Sequence, residues 1–222
     1  MIPRKSPKGG FTLIELLTVI TIMAVLAGLS VPALSALKKS SQVDLTFSKL
    51  TETLEQAREY AVAQNTYVWV AFYPTTSSPA TGKQLSLAVV ASADGTDLGP
   101  TWMSSVGAGS NLVQVSKIQT FSFTELQAPG TVTPATAVSE TGQAINSGAD
   151  FSITLPGQNT ATTFTQAIQF TPTGEARNAD GVPVDLVEFD IQPEKGPGVA
   201  NQQSGAVFQV NGLTGETRIY RQ

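Results

Sequence analysis

The sequence predicts an α+β fold: one long N-terminal helix whose second half packs on an antiparallel β head. Three patterns carry that reading. Leu16 to Leu37 is a run of 22 residues without a charge, long enough at about 1.5 Å per residue to cross a hydrocarbon layer of about 30 Å. Val43, Phe47, Leu50, Leu54, Ala57 and Ala61 then recur at steps of three and four, an apolar stripe along one helical face. Beyond residue 65 the period falls to two, with Gly-containing breaks between the apolar alternations.

The helix begins abruptly. Arg4, Lys5 and Lys8 precede Gly9-Gly10, and Phe11-Thr12-Leu13-Ile14-Glu15-Leu16-Leu17 follows. Glu15 stands at the start of the apolar run, where an ionisable group is costly and is expected to have a task and a partner. Gly28 and Pro32 are the expected helix kink, because proline frees a backbone carbonyl and clashes with the preceding turn. Lys38 and Lys39 follow the run, so three basic residues stand before it and two after. This weak asymmetry favours a cytoplasmic N-terminus.

These residues resemble the type IV prepilin leader, shared by type IV pilins and the pseudopilins of type II secretion. The resemblance covers roughly residues 4–65 and implies a pilin-like fold. It implies cleavage after Gly10 by a membrane prepilin peptidase, with Gly9 in the recognition sequence, and N-methylation of Phe11. It also implies that Glu15 meets the amino terminus of a neighbouring subunit during assembly. A cleaved amine in an apolar layer is an unpaired charge, and a carboxylate four residues along the helix, about 6 Å axially, lets a staggered neighbour neutralise it. The alternative is an ordinary signal peptide cut near Ala33-Leu34-Ser35, against which stand the length of the apolar run and the lone Glu15.

The expected organisation is a leader at 1–10, a transmembrane and assembly helix at 11–37, its amphipathic continuation at 38–65, and a β-rich exported head at 66–222. On the continuation, Asp44, Lys49, Glu52, Glu55 and Glu59 lie largely off the apolar stripe, whose economical partner is the chain's own β head. Arg58 is expected at the surface, pairing with Glu52, Glu55 or Glu59. The run Leu54-Glu55-Gln56-Ala57-Arg58-Glu59-Tyr60-Ala61, then Asn65 and a strand at Tyr67–Tyr73, is similar to the H-type minor pseudopilins and the FimT-type minor pilins.

Further strands are expected at Gln84–Ala91, Leu112–Phe123, Thr162–Thr171, Val184–Ile191, Ala206–Val210 and Glu216–Tyr220, with turns at Thr173-Gly174 and Asn211–Gly215. Residues 74–83, 92–111 and 128–160 are rich in Ser, Thr, Gly, Ala and Pro and read as loops.

The chain has neither cysteine nor histidine, which removes disulfides, thiolate metal sites and the usual general base. No hydroxyl nucleophile motif is present, so no enzyme and no cofactor is expected. Of the 13 Lys and Arg, five precede Ser41; of the 17 Asp and Glu, only Glu15 does. The remainder therefore carries 8 basic and 16 acidic residues, a net charge of −8, and repels nucleic acid as a whole.

Two local clusters qualify that picture. Glu188 and Asp190 alternate with Val187, Phe189 and Ile191, so a solvated strand face is expected; a calcium site at Asp185, Glu188 and Asp190 is the sharper alternative. FimT-like minor pilins bind DNA through a C-terminal Gly-Arg-x-Arg motif. Here Gly215 and Arg218 keep part of the pattern while Glu216 replaces a basic residue, leaving Arg218, Tyr220 and Arg221 as the possible contacts. Ile219 is the expected core position of that last strand, with the arginines shielding a sheet edge.

Together these features predict a minor pilin or pseudopilin in a bacterial inner membrane. It is single-pass, with its N-terminus cytoplasmic and its head periplasmic or otherwise extracytoplasmic. Its expected partners are prepilin peptidase, other pilins or pseudopilins in a filament, the inner-membrane assembly platform and membrane lipid, with DNA not favoured. Two rivals stay open: a DNA-binding minor pilin for uptake, and an anchored or secreted domain of unrelated function.

Overall fold

The computed structural model describes residues 12–78, 82–97, 103–105, 111–136, 138, 140–145, 147–154, 159–194 and 205–222. Among the described residues one helix, α1 (Leu13–Gln64), precedes thirteen strands. These are β1 (Val68–Ser78), β2 (Gly82–Ser92), β3 (Met103–Ser105), β4 (Leu112–Gln114), β5 (Gln119–Ser122), β6 (Thr124–Gln127) and β7 (Gln143–Ala144). There follow β8 (Ser147–Thr154), β9 (Ala161–Phe170), β10 (Ala176–Asn178), β11 (Leu186–Pro193), β12 (Ala206–Asn211) and β13 (Thr217–Arg221). The chain divides into two compact units, residues 1–39 and 40–222.

In the larger unit the strands form two sheets. The first runs β3-β8-β9-β1-β2-β4, with β10 beside β9 and β5 beside β2; the second runs β13-β12-β11-β6, with β7 beside β11. The chain passes from the first sheet to the second at Phe123, whose φ of 57° is rare for a bulky residue.

The helical stripe finds its partner within the chain. Phe47, Leu50, Leu54, Ala57 and Ala61 are buried in one core with Val68, Val70 and Phe72 of β1, Ile168 and Phe170 of β9, and Phe189 and Phe208 of the second sheet. Val43 lies outside the residues whose side chains are described. A chain of ring contacts crosses this core. Phe47 meets Phe208 edge-on at 5.8 Å, Phe208 stacks on Phe189 at 5.1 Å, and Phe189 meets Phe72 at 5.1 Å. Helix and both sheets are thereby joined through geometries that aromatic pairs favour.

The alternate residues of β1, Trp69 and Ala71, enter a second cluster with Phe164, Ala167, Ala88 and Leu112. The first sheet is therefore buried on both faces, which explains why β1 shows apolar residues in both registers.

Helix α1 ends at Asn65, which adopts a left-handed φ of 51° while the Thr66 N–H donates to the Ala61 carbonyl at 3.0 Å. This is a Schellman-type cap, and asparagine is among the few non-glycine residues that accept the conformation cheaply.

Arg58, about two turns earlier, pairs with Glu55 at 3.8 Å, as the sequence suggests, but is not simply a surface residue. It lies against the turns at Gly174 and Gly215: a Cβ on Gly215 would fall 2.8 Å from Arg58 Cδ and 2.3 Å from the Gly174 carbonyl oxygen. Glu55 also accepts the Thr217 N–H at 3.4 Å. The helix end is thus keyed to two β-turns.

Several expectations need correction. The expected strand Leu112–Phe123 is two strands, because β4 pairs with Val90–Ser92 and β5 with Gln84–Leu87 of the same neighbour. Val115 still donates its N–H to the Val89 carbonyl at 2.9 Å, and the register slips over residues 116–118. Residues 128–160 are not merely loop: β7 and β8 both join sheets there. Strands β6 and β10, also unforeseen, are short and complete sheet edges. The turn at Asp94, within the expected loop at 92–111, is tied tightly. Its carboxylate accepts from Ser92 Oγ at 2.8 Å, Thr96 N and Oγ1 at 3.1 and 2.7 Å, and Asn111 Nδ2 at 3.1 Å.

Three outcomes are expected in thermal or denaturant unfolding of the detergent-solubilised chain. Phe208→Ala should cost about 3–5 kcal/mol, as for buried aromatics generally. Gly215→Ala should cost about 1–3 kcal/mol from the positive φ alone, before the clash with Gly174. Hydrogen bonds from Thr96 and Ser92 lower the Asp94 carboxyl to about 2. Its contribution is therefore present above the ordinary value of 3.8 and lost as pH falls toward about 2. The Tm difference between wild type and Asp94→Asn should shrink over that interval and be unchanged between pH 5 and 7.

Candidate functional site

The candidate site is the start of the helix. Thr12 is the last residue before α1, and its side chain and backbone close a reciprocal cap with Glu15. The Thr12 N–H and hydroxyl donate to Glu15 Oε2 at 2.9 and 2.8 Å, and the Glu15 N–H donates to Thr12 Oγ1 at 3.3 Å. Two N–H groups that the first helical turn leaves orphaned are thereby satisfied. The carboxylate also sits where the helix dipole favours negative charge. The signal was readable in advance as Thr-x-x-Glu before an apolar run.

Behind this cap, apolar side chains face outward on every side. Leu13 is 82 % exposed, Ile14 70 % and Met23 64 %, and Leu16, Leu17, Val19, Ile20, Ile22, Val25 and Leu26 are exposed as well. The only hydroxyls in this stretch beyond the cap turn inward. Thr18 donates to the Ile14 carbonyl at 2.5 Å and Thr21 to that of Leu17 at 2.8 Å. The polar groups are therefore satisfied by the helix's own backbone, as a surface meant for an apolar environment or a like helix requires.

The described side chains of this run stop at Ala27. Among the described residues no helix is long and apolar enough to cross a membrane. Gly9, Gly10 and Phe11 lie outside the described residues, and the expected kink at Gly28 and Pro32 falls in 28–43, outside those whose side chains are described.

The other predicted site residues are dispersed. On β13, Arg218 and Tyr220 share one face and line a cavity of about 270 Å³ with Glu140, Asp185 and Gln209. Arg221 points to the opposite face, where it pairs with Asp44 at 3.0 Å and lies 5.4 Å from the Phe47 ring centre. Arg218 faces Glu216 at 3.4 Å. The arginines are thus separated by strand alternation and each has a carboxylate, and Ile219 packs against the core.

Nor is the face of Glu188 and Asp190 solvated, as the strand pattern suggested: they are 3 % and 0 % exposed. Glu188 Oε2 accepts the Gly142 N–H at 2.8 Å and Gln209 Nε2 at 2.7 Å, while Asp190 Oδ2 accepts the Val132 N–H at 2.8 Å. The unforeseen cover supplied by residues 131–136 and 140–145 is the reason. Asp185 is exposed at the cavity instead, and among the described residues no group of three or more acidic side chains is gathered that could hold a metal ion.

Comparison with known proteins bears on the N-terminal segment. A model of the prokaryotic N-terminal methylation motif matches residues 5–31. No curated protein and no solved structure matches the chain. The matched stretch contains Gly9, Gly10, Phe11, Thr12 and Glu15, and so includes the whole capped helix start. It supports a type IV prepilin-like protein, processed by prepilin peptidase and structural in kind, and it points to membrane anchoring through the N-terminal segment.

Proposed function

We propose that the chain is a minor pilin or pseudopilin of the H or FimT kind. It is cut after Gly10, methylated on Phe11 and drawn from the inner membrane into a type II secretion or pilus-like filament. The observation that carries this reading is the methylation motif at 5–31 coinciding with a capped, outward-facing apolar helix. The N-terminus faces the cytoplasm and the head the periplasm or exterior. The segment 11–37 is the membrane and assembly helix, with Gly28 and Pro32 as its kink.

In assembly, Glu15 neutralises the new amine of a neighbouring subunit in the apolar layer, where an unpaired charge costs several kcal/mol. The cap with Thr12 holds the carboxylate on the first turn, ready for that partner. The Ala57-Arg58 helix end, keyed to the turns at Gly174 and Gly215, supports the H-type reading through its likeness to the Ala-Arg-x-x-Ala helix end of those proteins. The β head then selects which subunits join, on an inner-membrane assembly platform. DNA uptake is the less supported alternative, because Arg218 and Arg221 face opposite ways and the chain from Ser41 onward carries a net charge of −8.

Glu15→Gln should leave peptidase cleavage intact. It should reduce the subunit recovered in sheared filaments at least tenfold, since stranding one member of a buried ion pair costs about 3–5 kcal/mol. Wild-type recovery of Glu15→Gln in filaments would refute the assembly role. Separately, the chain should show no salt-sensitive retention on duplex DNA; retention that Arg218→Ala with Arg221→Ala abolishes would favour the uptake reading.

A further inference from the structure

Residues 130–136 and 140–142 cross the face of the second sheet that is turned away from the shared core, and the second stretch ends at Ile145, whose side chain is anchored in that core. Near the edge at β13 the Ala135 N–H donates to the Arg221 carbonyl at 2.9 Å. At the other edge β7 pairs in parallel with Val187 and Glu188. Between these points two carboxylates hold the crossing down: Asp190 through the Val132 N–H and Glu188 through the Gly142 N–H, both at 2.8 Å. Gln209 Nε2 adds bonds to the Glu140 carbonyl at 2.6 Å and to Glu188 at 2.7 Å. Val132 is buried against Gly205, where a Cβ would fall 2.8 Å from its methyl group.

The charges beneath this crossing do not balance. Asp190 is fully buried, and its Oδ1 has no hydrogen-bond partner among the described residues. Glu188 shares its strand face. On β12 the facing residues are Val207 and Gln209, and on β6 they are Gln127 and Glu125. Glu125 pairs with Lys83. On β13 they are Tyr220 and Arg218, the latter paired with Glu216. The crossing itself contributes Thr131, Val132 and Glu140. Among the described residues every nearby cation is thus matched to another acid, and none is left for Asp190.

We propose that these two stretches form a pH-gated strap, closed over a protonated Asp190 and lifting as that carboxyl ionises. With a proton on Oδ1 the charge is gone, while Oδ2 still accepts the Val132 N–H. Once ionised, the group is a buried charge with one oxygen unpaired, a state relieved only by water. The strap yields first: β11 is paired with β12 from Leu186 to Ile191 and with β6 from Asp190 to Pro193, whereas the strap is fastened by a few hydrogen bonds, Val132 and Ile145. Burial raises the Asp190 carboxyl above its ordinary value, against the opposing Val132 and Thr131 N–H groups and with a smaller push from Glu188. The closed state therefore binds the proton more tightly than the open one, and closure is favoured as pH falls and lost as pH rises through the raised value. Lifting the strap also withdraws Glu140, one wall of the cavity lined by Tyr220 and Arg218, and so exposes a fresh sheet surface for a neighbouring subunit.

The test is hydrogen exchange on the full detergent-solubilised chain at pH 5 and pH 8, corrected for intrinsic rates, read on peptides covering 130–136 and 140–145. Protection of the strap should fall about tenfold at pH 8 relative to β11. Asp190→Asn keeps an acceptor for Val132 without the charge, so protection should become independent of pH. Glu188→Gln should retain most of the pH dependence. Equal protection of wild type at both pH values, or unchanged pH dependence in Asp190→Asn, would overturn the proposal. Should Asp190→Asn fail to fold, the carboxyl ¹³C titration of Asp190 in the wild-type chain decides: an ordinary aspartate midpoint would overturn it.

Discussion

The head depends on one burial event: insertion of the helical stripe from Phe47 to Ala61 into a core that two sheets share. Neither sheet alone covers its apolar face, and an isolated amphipathic helix gains little stability from propensity. The rings of Phe47, Phe208, Phe189 and Phe72 bind the three layers into one unit. What surrounds that core serves its alignment. The Asn65 cap stops the helix, and Arg58 with Glu55 seats its last turns against the glycine turns, so β1 starts in register with the stripe.

The same packing explains where polarity is tolerated. Alternation on β11 sends Val187, Phe189 and Ile191 inward and Glu188 and Asp190 outward, yet the outward pair is covered. Burying carboxylates costs stability unless hydrogen bonds replace water. The backbone N–H groups of Val132 and Gly142 meet only part of that requirement, which makes the covering segment responsive to protonation. At the other end of the chain the cost is avoided differently: Thr18 and Thr21 bond to their own helix, and Glu15 is engaged by Thr12.

Much of this was legible in the sequence because it rests on periodicity. The stripe on α1, the two-sided β1, the strands around residues 161–170 and 186–211, and the turn at Asn211–Gly215 follow from spacing and from glycine. The helix start was legible because Gly-Gly-Phe before an apolar run with one glutamate is an uncommon conjunction. The misses have a common cause. Strands β7 and β8 lie in a segment rich in small and polar residues, where pairing is dictated by neighbouring strands and not by β propensity. The burial of Asp190 was hidden for the same reason: a strand pattern says which residues share a face, but not what a distant segment lays over it. The role of Arg58 depended on two turns more than 110 residues away in sequence.

The account stands or falls on the chemistry at Gly10 and Phe11. The decisive measurement is the N-terminal mass of the full chain, extracted from membranes after coexpression with a prepilin peptidase. A chain that begins at N-methylated Phe11 is the predicted result. An unprocessed chain beginning at Met1, or one beginning near Ala36, would contradict it, leaving respectively a simple anchor or a free head released by an ordinary signal peptidase.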